Sequence, residues 1–313
     1  MATSAQGQYK NKRDFWIECF NGKDRHCILN QIYLMVWNTA VFKVINEARR
    51  IAPPAKEGGV ELSPLLHKFI DDCFFPSQMV GVRRLTDDSY GITGNRGVVS
   101  LISLIKDMRD HVGLMTRENI FWAQGLEYDY EAVRLKHDQY CDRMFQAGSQ
   151  VFSMPEELVW QRLKERHEEI DVLCGVAEKQ RSPGDSVNPS VFDKLKDKIV
   201  GACQDIHDHV NKFIAHAATP GSRQSISADT TSITLKHLWQ AHEAICRAAN
   251  FIDVYLLTGS NHSFVPVPQY NHLAYIEKPL VDLARIRQLG DIWDKYEKET
   301  HHWQPWKPED IVK

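Results

Sequence analysis

The sequence lacks the signatures that announce many chemistries. It has no P-loop, no G-x-G-x-x-G, no H-E-x-x-H and no G-x-S-x-G, so no motif points to P-loop, dinucleotide-binding, zincin or α/β-hydrolase chemistry. An excess of one charge is also missing. Lys and Arg total 38 against 41 Asp and Glu, a formal net charge of -3, which gives no bulk attraction to nucleic acid or anionic membrane. Binding of either would need a local patch. There is no Cys-x-x-Cys pair. The seven cysteines, Cys19, Cys27, Cys73, Cys141, Cys174, Cys203 and Cys246, are scattered and odd in number. Several fall on apolar helix positions, as reduced core thiols do, and a reducing cytosol is expected. The longest uninterrupted apolar run, Ile32 to Trp37 between Gln31 and Asn38, is far short of the ~20 residues that cross a bilayer. The first residues, MATSAQGQYKNKRDFW, show no apolar signal core. A cytoplasmic protein without a membrane span is expected.

What is present is ordinary globular material: 313 residues, 43% hydrophobic and 25% charged, enough for a large core in one domain or two. Period-two strands and internal repeats are absent, and apolar residues recur every three or four positions. That pattern predicts an all-α, up-and-down helical bundle. Residues 1–12 are polar and expected to be loose, before a short helix with Phe15, Trp16 and Phe20. A long helix is predicted from Asp24 to Ile51, ended by Pro53-Pro54. Ser63 and Pro64 open the next, and Ser77–Leu85 reads as a separate short helix. Asp87–Gly97 is a loop. Helices follow over 98–115, 128–146 and from a Ser153–Glu156 capping box to about Glu178. Another carries Leu235, Leu238, His242, Ile245, Ala249, Ile252 and Leu256. The last, Pro279–Glu299, carries Leu280, Leu283, Ile286, Leu289, Trp293 and Tyr296. A helical domain over residues 1–260 and a C-terminal extension over 261–313, packed on it, are expected.

The densest chemical signal lies in Asn188–Ala218. Asn188 suits an N-cap and Pro189 the first turn. Val191, Leu195, Ile199, Cys203, Ile206, Val210, Phe213 and Ala217 form an apolar seam, and Pro220-Gly221 stops the helix. Beside the seam run Asp205, His209, Lys212 and His216, spaced four, three and four apart. At 3.6 residues per turn they project to nearly one side. Imidazoles there suit general acid or base work. The plainer alternative is a solvated face, with the last His bonding free carbonyls.

Other candidates are weaker. His207 and His209 lie about 160° apart on a helix, a poor geometry for sharing a metal, and no metal or other cofactor is expected. His301 and His302 are adjacent near the end. Arg134, Lys136 and His137 read as a solvated helix face. Trp303 and Trp306 suit a partner anchor or a tail folded back on the body.

Lys212-Phe-Ile-Ala-His216-Ala resembles the end of the R-[DN]-K-x-x-A-H motif of HEPN proteins, particularly the abortive-infection, AbiU-type branch. Val82-Arg-Arg-Leu-Thr-Asp87 followed by Ser100-Leu-Ile-Ser-Leu-Ile105 is similar to that branch, as is the helix Leu235–Leu257. The resemblance covers roughly residues 24–258. It implies a HEPN-type bundle with extra helices, paired as a homodimer through the motif helices. It further implies metal-independent endoribonuclease chemistry, in which a ribose 2′-OH attacks the adjacent phosphate within a shared cleft. His216 would be the general acid/base and Asn211 a positioning residue. Val210 stands where the family has its Arg, so Lys212 with His209 would face the phosphate, and Asp205 would lie beside them. Neither Lys nor His reproduces the guanidinium fork. The resemblance thus leaves two functions open: a ribonuclease of a phage-defence or toxin–antitoxin type system, acting on RNA or beside a cognate antitoxin or defence protein, and a non-catalytic HEPN-like module for dimerisation, partner binding or RNA binding. A helical protein outside this family is the third reading.

Overall fold

The computed structural model describes residues 4–54, 63–146, 155–215, 218–223, 233–265, 267–274, 276, 278 and 285–301. Among them are eleven α-helices: α1 Ala5–Asn21, α2 Ile28–Ile51, α3 Pro64–Leu85, α4 Leu101–Asp110, α5 Arg117–Ala123, α6 Tyr130–Gln146, α7 Pro155–Cys174, α8 Pro189–His209, α9 Pro220–Arg223, α10 Leu235–Phe251 and α11 Ile286–His301. No strand occurs among the described residues, so the all-α bundle expected from the three-and-four spacing is what forms. The chain divides into two compact units, Met1–Pro266 and Val267–Lys313.

The first unit holds the core. α8 packs on α10, α3 and α4, and α2 packs on α1, α3 and α10. Phe192, Ile199, Cys203, Ile206 and Val210 bury one side of α8, Leu238, Ile245 and Ala249 one side of α10. Phe192, off the expected seam, is fully buried, whereas Leu195 is only partly so. Both helices end in a rare π-turn, Val210–Ile214 after α8 and Ile252–Leu257 after α10.

Several expectations change. Residues 5–12 are helical, because Ser4 caps Gly7 N–H at 3.1 Å and Tyr9 is wholly buried edge-on to Trp16. Their polar neighbours are used rather than solvated: Lys12 and Trp16 Nε1 both donate to Asp107, the latter at 2.6 Å. Ser77–Leu85 is not a separate helix, since α3 runs through Pro76. Proline there removes one backbone bond, but Phe74, Gln78, Met79 and Val82 bury the helix on both sides of it. Residues 117–123, left open by the sequence pattern, form α5, capped by Thr116 and anchored by a wholly buried Arg117 paired with Asp171 at 2.7 Å and Asp185 at 3.2 Å. Pro220-Gly221 opens the four-residue turn α9. The start of the Ser153–Glu156 capping box, the residues 279–284 and the Trp303 and Trp306 tail lie outside the described residues. α2 is long and apolar enough to cross a bilayer by length and composition. Its apolar run is interrupted, yet the whole helix passes that test; here Ile28, Leu29, Ile32, Met35 and Phe42 are core residues.

Candidate functional site

α8 begins as its sequence dictates. Asn188 Oδ1 accepts from Ser190 N–H at 2.9 Å, and Pro189 occupies the first turn. Regular α-geometry holds through His209. Then Ala215 N–H bonds Val210 C=O at 2.7 Å, a five-residue step, and Ala218 N–H bonds Lys212 C=O at 3.2 Å, a six-residue step. Each widened turn shifts the angular phase of the residues beyond it, so the 3.6-residue projection aligning Asp205, His209, Lys212 and His216 does not continue past Val210.

Asp205 and His209 both lie within the regular helix and keep their four-residue alignment, and the change of phase falls on the residues beyond Val210. Asp205 is exposed and lines a groove between α8 and α10. His209 is half-buried and stacks on Phe213, ring centroids 4.7 Å apart. Asn211 is exposed, and half-buried Lys212 donates from Nζ to Ser222 Oγ at 2.7 Å. Neither they nor His209 belong to the groove lining. His216 lies outside the described residues. Val210 is 2% exposed, packed in the core.

His207 has a structural task. Thr86 Oγ1 donates to Val82 C=O at 2.7 Å, so the short contact between that hydroxyl and His207 Nε2 needs the ring as donor. Burial, with the Arg83 charge second, lowers the His207 pKa and favours the neutral ring. His207 thus faces α3 and His209 faces Phe213, as their angular separation predicts.

The groove has a volume of about 660 Å³. α8 contributes Lys198, Gly201, Ala202 and Asp205; α10 contributes His237, Gln240, Glu243, Ala244 and Arg247. Arg247 and Glu243 pair at 3.0 Å on the rim. His237 Nδ1 accepts from Thr234 N–H at 3.3 Å in the α10 capping box, which orients its ring. Both signs of charge flank a middle of small side chains. Sequence reasoning missed the α10 wall. Its signal was the step His237, Gln240, Glu243 or Ala244, Arg247, a second line beside the apolar one.

A second polar cluster was also missed. Asp253, 1% exposed, accepts from Thr258 Oγ1 and contacts His262 Nε2 closely, while His262 Nδ1 lies 3.2 Å from the Tyr33 hydroxyl. Asn250 and the His262 backbone exchange two further bonds. Burial, with Asp253 second, raises the Tyr33 pKa, which opposes a nucleophilic phenolate. The array clasps residues 258–264 to α2 and α10. Among the described residues, no three His, Cys, Asp or Glu side chains converge as a metal site would require. No family model, curated protein or solved structure matches the chain.

Proposed function

We propose that the chain is a HEPN-like helical module of a cytosolic phage-defence or toxin–antitoxin type system, acting as a homodimer through α8 and α10 without cleaving RNA. The observation that carries this over a nuclease is the burial of Val210. The position at which the resemblance calls for an Arg holds an apolar side chain 2% exposed, so it supplies no cation to a developing phosphorane. Loss of one such donor costs on the order of 100- to 1,000-fold in rate.

The groove supports a second copy of this chain as its occupant. Lys198 and Asp205 are seven residues, or about 10 Å, apart along one face of α8. A two-fold axis between them brings each Lys198 against the partner copy's opposite charge, which is the self-complementarity of an isologous interface. Gly201 and Ala202 lie between them and permit close helix approach. The mixed signs suit a protein surface better than an RNA backbone, which calls for cations alone.

Metal-independent ribonuclease activity is the second reading. It is favoured by the π-turn at the motif, since π-turns gather at functional sites, and by His209 just before that turn and Lys212 within it. Incubation of a mixed labelled RNA pool in EDTA, with wild type and His216→Ala, separates the two. The module yields no products from folded wild-type protein. Products that vanish with His216→Ala establish the nuclease instead, and equal products from both proteins place any activity away from His216.

A further inference from the structure

The loop before α2 and the last turn of α3 bring three cationic or basic side chains together. Arg25 Nε lies 3.0 Å from His26 Nε2, and Arg84 Nη2 lies 3.3 Å from His26 Nδ1. Both ring nitrogens thus face guanidinium N–H groups. A neutral imidazole offers one acceptor nitrogen and an imidazolium offers none, so at least one contact sets donor against donor. Neither guanidinium has a carboxylate partner among the described residues. The nearest acid in sequence, Asp24, accepts from the His26 backbone N–H at 2.7 Å.

Basic residues at a helix C-terminus commonly answer the helix dipole. Arg83 fits that account, lying 3.4 Å from Asp87. Arg84 does not: it reaches the neighbouring loop, where another guanidinium already stands. Two guanidinium groups sharing one ring that offers at most a single acceptor make a site for an anion, which would accept from them and relieve the donor–donor contact. The N-terminus of α2, where Cys27 makes no side-chain cap, adds partial positive charge next to Arg25 and His26.

Arg84 also lines a cleft of about 340 Å³ between α2 and α3, a volume that suits the body of a small molecule. Gln31 joins the two features, lining the cleft while its Nε2 donates to His26 C=O at 2.6 Å. Elsewhere along the cleft, half-buried Asn38 and exposed Ser77 have no side-chain hydrogen-bond partner among the described residues, beside the apolar, exposed Leu34 and Val80. We propose that Arg25, His26 and Arg84 bind the phosphate of a small phosphate monoester whose organic part enters the α2/α3 cleft. This site involves neither α8 nor α10.

Calorimetric titration of the full chain with AMP, ribose phosphate and phenyl phosphate tests it, with inorganic phosphate and adenosine as controls. At least one monoester binds saturably and more tightly than either control. Arg84→Gln weakens it about ten- to hundredfold, the range for a charged hydrogen-bonding partner. Arg84 is exposed, and matching melting curves without ligand verify the fold. Gly81 lines the cleft and a Cβ added there meets nothing within 4 Å, so Gly81→Leu directs its side chain into the cleft; with an unchanged melting curve, it weakens the monoester and spares inorganic phosphate. Absence of saturable binding by all three monoesters overturns the site, as does binding unchanged in Arg84→Gln. Inorganic phosphate binding as tightly as the best monoester overturns the role of the cleft.

Discussion

His242 shows how a single position can be polar in sequence and core in structure. It lies in line with Leu238, Ile245 and Ala249, 6% exposed, and its Nε2 has no hydrogen-bond partner. Burial, with the Lys43 charge second, lowers its pKa from the ordinary 6.5 to about 4. The folded protein therefore binds this proton less readily than the unfolded chain. The associated stability is complete above pH 6.5 and is lost as pH falls through about 4, by an amount on the order of 3 kcal/mol. Burial also lowers His167 and His207, so they act in the same direction. Urea unfolding between neutral pH and pH 4 should show a steep loss in wild type and a shallower one in His242→Leu. A slope unchanged by His242→Leu would mean that the buried ring is not the titrating group.

At the level of elements, the α8/α10 face rests on a glycine whose role can be isolated. Gly201 lies inside α8, is exposed, and has nothing within 4 Å of an added Cβ. Gly201→Ala should stabilise the monomer by about 0.5–1 kcal/mol, the usual helix-interior difference. Gly201→Leu should leave the monomer folded, with unchanged circular dichroism, but fill the centre of the groove. Sedimentation should then give a dimer for wild type and a monomer for Gly201→Leu. A dimer in both would assign pairing to another face. The helix ends explain why such faces are hard to read from periodicity. Asn188 and Ser63 cap α8 and α3 as their residue types suggest. The π-turn after His209 has no comparable residue-level marker, yet it shifts the phase of Lys212 relative to Asp205 and His209.

For the whole molecule, the first unit holds an apolar core of its own. Among the described residues, every member of the core cluster, including the partly buried residues around it, precedes Val267. A chain ending at Pro266 should therefore melt cooperatively, within a few degrees of the full chain, by calorimetry. A broad transition without a heat-absorption peak would show that Val267–Lys313 is needed for folding. The seven cysteines are all unpaired, so this core is held by packing and internal ion pairs rather than by cross-links.

The sequence by itself determined the helical class, because three-and-four apolar spacing buries one side of each segment. It also determined the caps of α3 and α8 and the core side of α10, each of which depends on neighbours along the chain. It could not reveal that Tyr9 anchors an otherwise polar α1, since Trp16 and Asp107 reach that neighbourhood only on folding. Nor could it bring Tyr33 to His262, or Arg84 to His26, because those partners are distant in sequence. The polar line on α8 was legible as a spacing, but its side was not. Direction beyond Val210 depends on the backbone step of the π-turn, whereas the burial of Val210 follows from its place on the apolar seam. Local periodicity chose the elements; only tertiary packing decided which polar groups share a surface.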